Sequence, residues 1–174
     1  KVFITTAVSG QKDPMLRVGL YGDIAPVEDD TEHSYRVYCL DKSTGKIIWE
    51  KESWKCVPAV KRHTKATHAN CTPATDGKHL VVFFGSEGLY CYDLAGELKW
   101  KKDLGTLDAG YYVVPGAQWE YASSPVIHDG KVLVQCDVQG ESFVAAFDIE
   151  TGSELWRTKR DELPTWGTPT VHEV

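Results

Sequence analysis

No uninterrupted apolar run in the 174-residue sequence approaches the roughly 20 residues that a membrane-crossing helix needs. Basic residues are in short supply as well: 19 Lys and Arg stand against 25 Asp and Glu, a formal charge of −6. Neutralising a phosphate backbone takes a concentrated basic surface, so the composition argues against a nucleic-acid partner. The five cysteines, Cys39, Cys56, Cys71, Cys91 and Cys136, are too few and too scattered for a disulfide scaffold. Their odd number leaves at least one unpaired within the chain, and the redox compartment stays open. No charged-then-apolar leader is visible, because Lys1 to Thr6 already reads as a strand. What is abundant is apolar and aromatic, 42% and 11% of the residues, which suffices for a real core and excludes disorder.

Self-similarity is the main signal. Cys39-Leu-Asp41-Lys-Ser-Thr44-Gly45-Lys-Ile-Ile-Trp49 and Ala146-Phe-Asp148-Ile-Glu-Thr151-Gly152-Ser-Glu-Leu-Trp156 share their spacing from Asp to Gly to Trp. Between them, Cys91-Tyr-Asp93-Leu-Ala-Gly96-Glu-Leu-Lys-Trp100 is one residue shorter in its turn, a change that a hairpin loop absorbs. Two further elements recur in phase. Asp76-Gly77-Lys78 and Asp129-Gly130-Lys131 each precede a short apolar run, and Asp-Gly favours a tight turn because glycine takes positive φ without steric cost. Asn70-Cys-Thr-Pro73, Ser123-Ser-Pro125 and Gly167-Thr-Pro169 each open a unit.

In order, these elements give a unit of four short strands, A to D: a Thr-Pro or Ser-Pro strand A, the Asp-Gly turn, strand B, strand C ending at the Asp, the Gly turn, and strand D ending at the Trp. Four short strands every 50 residues or so, with no sustained helical periodicity, fit an all-β propeller better than a solenoid or a sandwich. The chain is expected to hold about three blades of one partial propeller over 1–174. Strands B to D of a first blade occupy 1–50 around a long insertion at 7–32, two full blades occupy 68–101 and 120–157, and 166–174 is the first strand of the next. A closed propeller takes about four to eight blades. The expected partners are therefore the remaining blades, from the same parent chain or from another copy.

The pattern from Asp to Trp resembles the tryptophan-docking repeat of the quinoprotein alcohol dehydrogenase-like superfamily, over nearly all of the chain except 7–32. The stretch from Trp119 to Trp166 is similar to bacterial proteins described as carrying a quinone-binding-like repeat domain. The resemblance implies a β-propeller in an exported, periplasmic protein. It spans quinone-dependent dehydrogenases, a lipoprotein that scaffolds outer-membrane protein assembly, and members without a known ligand. In the dehydrogenases the quinone (PQQ) sits against a disulfide between adjacent cysteines, near a calcium held by Glu, Asn and Asp. This chain has no Cys-Cys pair.

The repeat gives Trp49, Trp100 and Trp156 a packing role between blades, and Asp41, Asp93 and Asp148, with Gly45, Gly96 and Gly152, a role in the C-to-D turns. Candidate ligand-binding residues are those outside the repeat, on the rim shared by the D-to-A and B-to-C connections. They are Arg62, His68, Trp119, Glu120, Tyr121 and Trp166, expected near the mouth of the central channel, with Lys61, His63, Tyr111 and Tyr112 close by. Aromatic faces beside an imidazole and a carboxylate suit a sugar or a flat organic ligand; the alternative is that they plug the channel mouth.

Three lesser readings concern metals and modification. The acids Asp23, Glu28, Asp29, Asp30 and Glu32 lack the alternation of a calcium loop, and clustered acids are most often solvated. Cys56, His63, His68 and Cys71 have the wrong spacing for a zinc finger, and a Cys56–Cys71 disulfide is a comparable alternative. Asn70-Cys-Thr72 fits a glycosylation acceptor at the entry to an inner strand. No nucleophile and base stand in a recognisable pattern. The sequence thus reads as a non-catalytic module that binds a partner protein or a carbohydrate through its rim. The alternative is a fragment of a quinone-dependent alcohol or sugar dehydrogenase.

Overall fold

A computed structural model describes residues 1–12, 25–111, 113–114 and 117–172. Three antiparallel sheets follow one another along the chain. The first holds β1 (Val2–Ser9), β2 (His33–Leu40) and β3 (Ile47–Cys56). The second holds β4 (Ala74–Thr75), β5 (His79–Phe83), β6 (Leu89–Asp93) and β7 (Leu98–Lys102), and the third β8 (Val126–His128), β9 (Lys131–Cys136), β10 (Ser142–Asp148) and β11 (Glu154–Arg160). Each is a simple meander in chain order, the architecture of propeller blades, and the fold is a partial β-propeller of about three blades.

The middle blade explains its own sequence. Leu80, Val82 and Phe84 pack toward the first sheet against Tyr35 and Val37, while Val81 and Phe83 pack toward the third against Val132, Val134 and Phe147. A strand buried on both faces needs a continuous apolar run, which Leu80 to Phe84 supplies. In β9, Val132, Val134 and Cys136 are buried while Lys131, Leu133 and Gln135 are half-exposed, so one face alone meets a neighbour. The side chains of Val2, Ile4, Leu155 and Trp156, at the two ends of the array, remain 42–48% exposed.

The repeated residues serve one contact each. Cys39, Cys91 and Ala146 lie directly across from Trp49, Trp100 and Trp156, and each sheet has a register shift one residue later. A small residue there leaves room for the indole, and the bulge turns it toward the next blade. Trp49 Nε1 donates to Leu94 O (3.2 Å) and Trp100 Nε1 to Ile149 O (2.7 Å), the carbonyl just after the turn aspartate of the following blade. A Cβ added to Gly96 falls 3.0 Å from the Trp49 ring, and one added to Gly152 falls 2.6 Å from that of Trp100. The carboxylates of Asp41, Asp93 and Asp148 accept backbone N–H groups of their own turns at 2.8–3.0 Å.

Some strand limits differ from the sequence reading. Strand D runs past the tryptophan in every blade, because the pairing with strand C continues to Cys56, Lys102 and Arg160. The insertion starts after Ser9, not at residue 7, since Val8 and Ser9 still pair with Ser34 and His33. Strand A is short in the two full blades, and Gly167 to Val171 forms no strand, there being no described strand beside it to pair with.

Candidate functional site

Among the described residues the rim is built from the D-to-A connections at 57–73, at 103–111, 113–114 and 117–125, and from 161 to 172, and the B-to-C connections at 10–12, 25–32, 84–88 and 137–141. At its base lies a string of buried titratable groups. Asp29 accepts Ser9 Oγ (2.6 Å), Thr31 Oγ1 (2.6 Å) and Thr31 N (3.0 Å). Burial alone raises its carboxyl, but those hydrogen bonds outweigh it and hold the group at about 2. His33 donates from Nδ1 to Thr31 O (2.9 Å), presents Nε2 to Asp29 Oδ2 at 3.5 Å, and meets the His68 ring edge-on at 5.0 Å.

His68 Nδ1 in turn bonds Glu120 Oε2, joining the first and second D-to-A connections through side chains that are 5% and 2% exposed as whole residues. Burial presses both toward their neutral forms, lowering the imidazole and raising the carboxyl. Glu120 holds a φ of +66°, a left-handed conformation unusual for a side-chain-bearing residue. Its other carboxylate oxygen accepts Tyr121 N (3.0 Å), and its carbonyl accepts Trp166 Nε1 (3.0 Å) from the third connection. Glu120 is therefore where three loops are tied together.

Above this base, Trp119 and Trp166 stack with ring centres 5.5 Å apart and planes inclined by 28°. Tyr111 and His63 adjoin Trp119 at 6.2 and 5.9 Å. Trp119, Tyr111 and Trp166 remain 40%, 37% and 36% exposed, a contiguous aromatic shelf over the buried His68–Glu120 pair. Asp137, fully buried, steadies its flank by accepting Arg160 Nε (2.7 Å), Thr165 Oγ1 (2.7 Å) and Gln135 Nε2 (2.8 Å).

The structure divides five of the six candidate residues into two layers. Trp119 and Trp166 face solvent. His68, Glu120 and Tyr121 are buried instead of lining an open mouth, Tyr121 through its bond to Gln135 O (2.6 Å) and its edge-on contact with Phe83. Arg62 is half-buried and donates to Ala66 O (3.0 Å), which shapes its own loop. Tyr112 and Asp23 lie outside the described residues. Sequence reasoning missed Asp29 as a hydrogen-bonded anchor, and it missed His33, Tyr35 and Glu87. Glu87 accepts Ala59 N (2.9 Å) through one oxygen, while its other oxygen and the Tyr35 hydroxyl are buried with no hydrogen bond of normal geometry among the described residues. A usable signal was there: Glu87 is an acid set between the apolar runs Leu80–Phe84 and Leu89–Tyr92.

The metal and disulfide readings separate in space. All five cysteines are free thiols, so Cys56 and Cys71 are not bridged. Cys71 donates to Ser123 O, and His68 belongs to Glu120. Of the acids, Glu28 and Asp30 both pair with Lys61, and Glu32 pairs with Lys55. Asn70 bonds Thr67 N and Tyr121 O with its side chain. Among the described residues no three His, Cys, Asp or Glu side chains converge as a metal site, and no hydroxyl or thiol hydrogen-bonds His68. The residues present therefore do not fit a quinone held against a vicinal disulfide beside calcium.

Blades of this form, with the indole of one seated on the turn glycine of the next, define a propeller of the quinoprotein-repeat (PQQ-like) superfamily. The family described as outer membrane protein assembly factor BamB matches residues 33–172, and the chain belongs to it. Among solved structures, BamB from Moraxella catarrhalis superposes with a TM-score of 0.53 at 16% identity, over 86% of this chain and 43% of that one. A europium-containing methanol dehydrogenase is similar with a TM-score of 0.46 at 18% identity, over 74% of this chain and 22% of the enzyme. The chain thus spans less than half of either relative. No curated protein matches it.

Proposed function

We propose that this chain is a non-catalytic propeller module of an exported, periplasmic protein, and that its aromatic rim holds a partner protein. The observation that carries this reading is the exposed stack of Trp119 and Trp166 on the buried His68–Glu120 tie. Rigid, half-exposed aromatic clusters are the usual anchors of protein interfaces, because they exclude much water at little entropic cost. The assembly role named for the BamB family points to a protein partner.

A carbohydrate is the second reading, favoured by two near-parallel indoles that offer their outer faces to a sugar ring. Both are tested by placing a photo-reactive aromatic residue at position 119 of the parent protein in its own cell. A discrete cross-linked polypeptide supports the first reading. A cross-linked glycan without polypeptide transfers the site to the second, and no adduct from position 119, with adducts from elsewhere on the surface, overturns both.

A further inference from the structure

Glu120 is fixed at three points, and through them it governs the indole stack. Its carboxyl bonds His68 Nδ1 and accepts Tyr121 N (3.0 Å), and its carbonyl accepts Trp166 Nε1 (3.0 Å). Trp119, the other half of the stack, is the residue before it. The stack therefore keeps its form while the Glu120 side chain stays buried. Glu87, on the connection between β5 and β6, ties in the first D-to-A connection by accepting Ala59 N (2.9 Å). Both acids are at least nine-tenths buried, and among the described residues neither has a lysine or arginine within salt-bridge distance.

The surrounding charges do not make up for this. Arg62 favours ionised Glu120 and Asp108 opposes it, while Glu87 and Glu120 oppose each other. Asp29, beside His33, is a further carboxylate, and burial keeps His33 neutral. Burial also raises the side chains of Tyr35, Cys56 and Cys71, which stay uncharged. On its outer side Glu87 shares a cleft with Lys101 and Asp103, whose charges offset each other. With the Arg62 cation set against Asp29 and Asp108, ionising Glu87 and Glu120 leaves buried negative charge without a counter-ion.

We propose that the rim is a proton-gated surface, its indole stack held in the binding form while the His68–Glu120 pair and Glu87 keep their protons and released when they lose them. This rests on the rim reading above and adds its regulation: a partner is held in mildly acidic surroundings and let go in mildly alkaline ones. In an open rim the imidazole titrates at its ordinary 6.5 and the carboxyl at 4.5; in the closed rim burial moves them to about 4 and about 8. Between 4.5 and 6.5 the two forms hold equal numbers of protons, on the imidazole when open and on the carboxyl when closed. From 6.5 to about 8 the closed pair holds one more, so closure weakens about thirtyfold as pH rises through that interval. Glu87, at about 7 in the closed form, adds about threefold between 6.5 and 7.

The test is hydrogen exchange of the Tyr121 amide, which bonds Glu120 directly, corrected at each pH for the exchange rate of an unprotected amide. From pH 6.5 to 8 its protection is expected to fall about a hundredfold in the parent, about thirtyfold in Glu87→Gln and about threefold in Glu120→Gln. The Trp166 indole N–H, bonded to the Glu120 carbonyl, is expected to follow the same profile. Flat protection in the parent overturns the proposal. So does a Glu120→Gln variant that falls as steeply as the parent, or a Trp166 N–H that does not follow Tyr121. The parent titration needs no variant, so it decides even where a variant fails to fold. It also needs no partner: a flat titration leaves the rim partner standing, and a missing partner leaves the titration standing.

Discussion

Adding one methyl group at two turn glycines separates the contact between blades from ordinary backbone strain. Gly45 and Gly152 share a φ of +69°, but a Cβ on Gly45 meets nothing within 4 Å, while one on Gly152 falls 2.6 Å from the Trp100 ring. Gly45→Ala therefore carries only the left-handed backbone term, about 1 kcal/mol. At Gly152 the indole cannot yield, because it is 8% exposed and held by its bond to Ile149 O at 2.7 Å. Overpacking adds about 1 to 3 kcal/mol, for a total of about 2 to 4. Gly96→Ala, 3.0 Å from Trp49, falls between the two. Urea unfolding gives the three values, and in a Trp100→Ala background Gly152→Ala should fall back to about 1 kcal/mol. Equal costs at Gly45 and Gly152 would refute the reasoning.

Two more predictions come from burial. Trp100→Ala should cost about 3 to 5 kcal/mol and Trp156→Ala about 1, because Trp100 is buried against the next blade and Trp156 is 42% exposed; urea unfolding decides the order. Burial, only partly offset by Ala59 N–H, raises the Glu87 carboxyl from 4.5 to about 7 in the fold. The unfolded carboxyl ionises first, so this group lowers stability as pH rises from about 4.5 to about 7. Glu87→Gln should remove that slope and gain on the parent at pH 8 relative to pH 5, measured as urea midpoints.

The repeat made the blades legible because each repeated residue has one local task. The aspartates cap the C-to-D turns, the glycines take positive φ, and the tryptophans lie across from small residues. Strand ends were less legible. Nothing in Glu50 to Cys56 marks where pairing with β2 stops, since an edge strand tolerates alternating polar and apolar residues. The rim was half legible: Trp119 and Trp166 stood out as aromatics outside the repeat. That His68 bonds Glu120, 52 residues away, depends on how consecutive blades align their loops, which no local spacing encodes. Glu87 and Tyr35 were hidden because they sit in or beside core strands, where a polar residue is read as outward-facing.

The most direct test of the account is the affinity of the cross-linked rim partner for the parent protein and for a Trp119→Ala, Trp166→Ala variant. Calorimetry should show a loss of about a hundredfold, in a variant that is still folded at the assay temperature, if the aromatic shelf is the binding anchor. Unchanged affinity in the folded variant would contradict it.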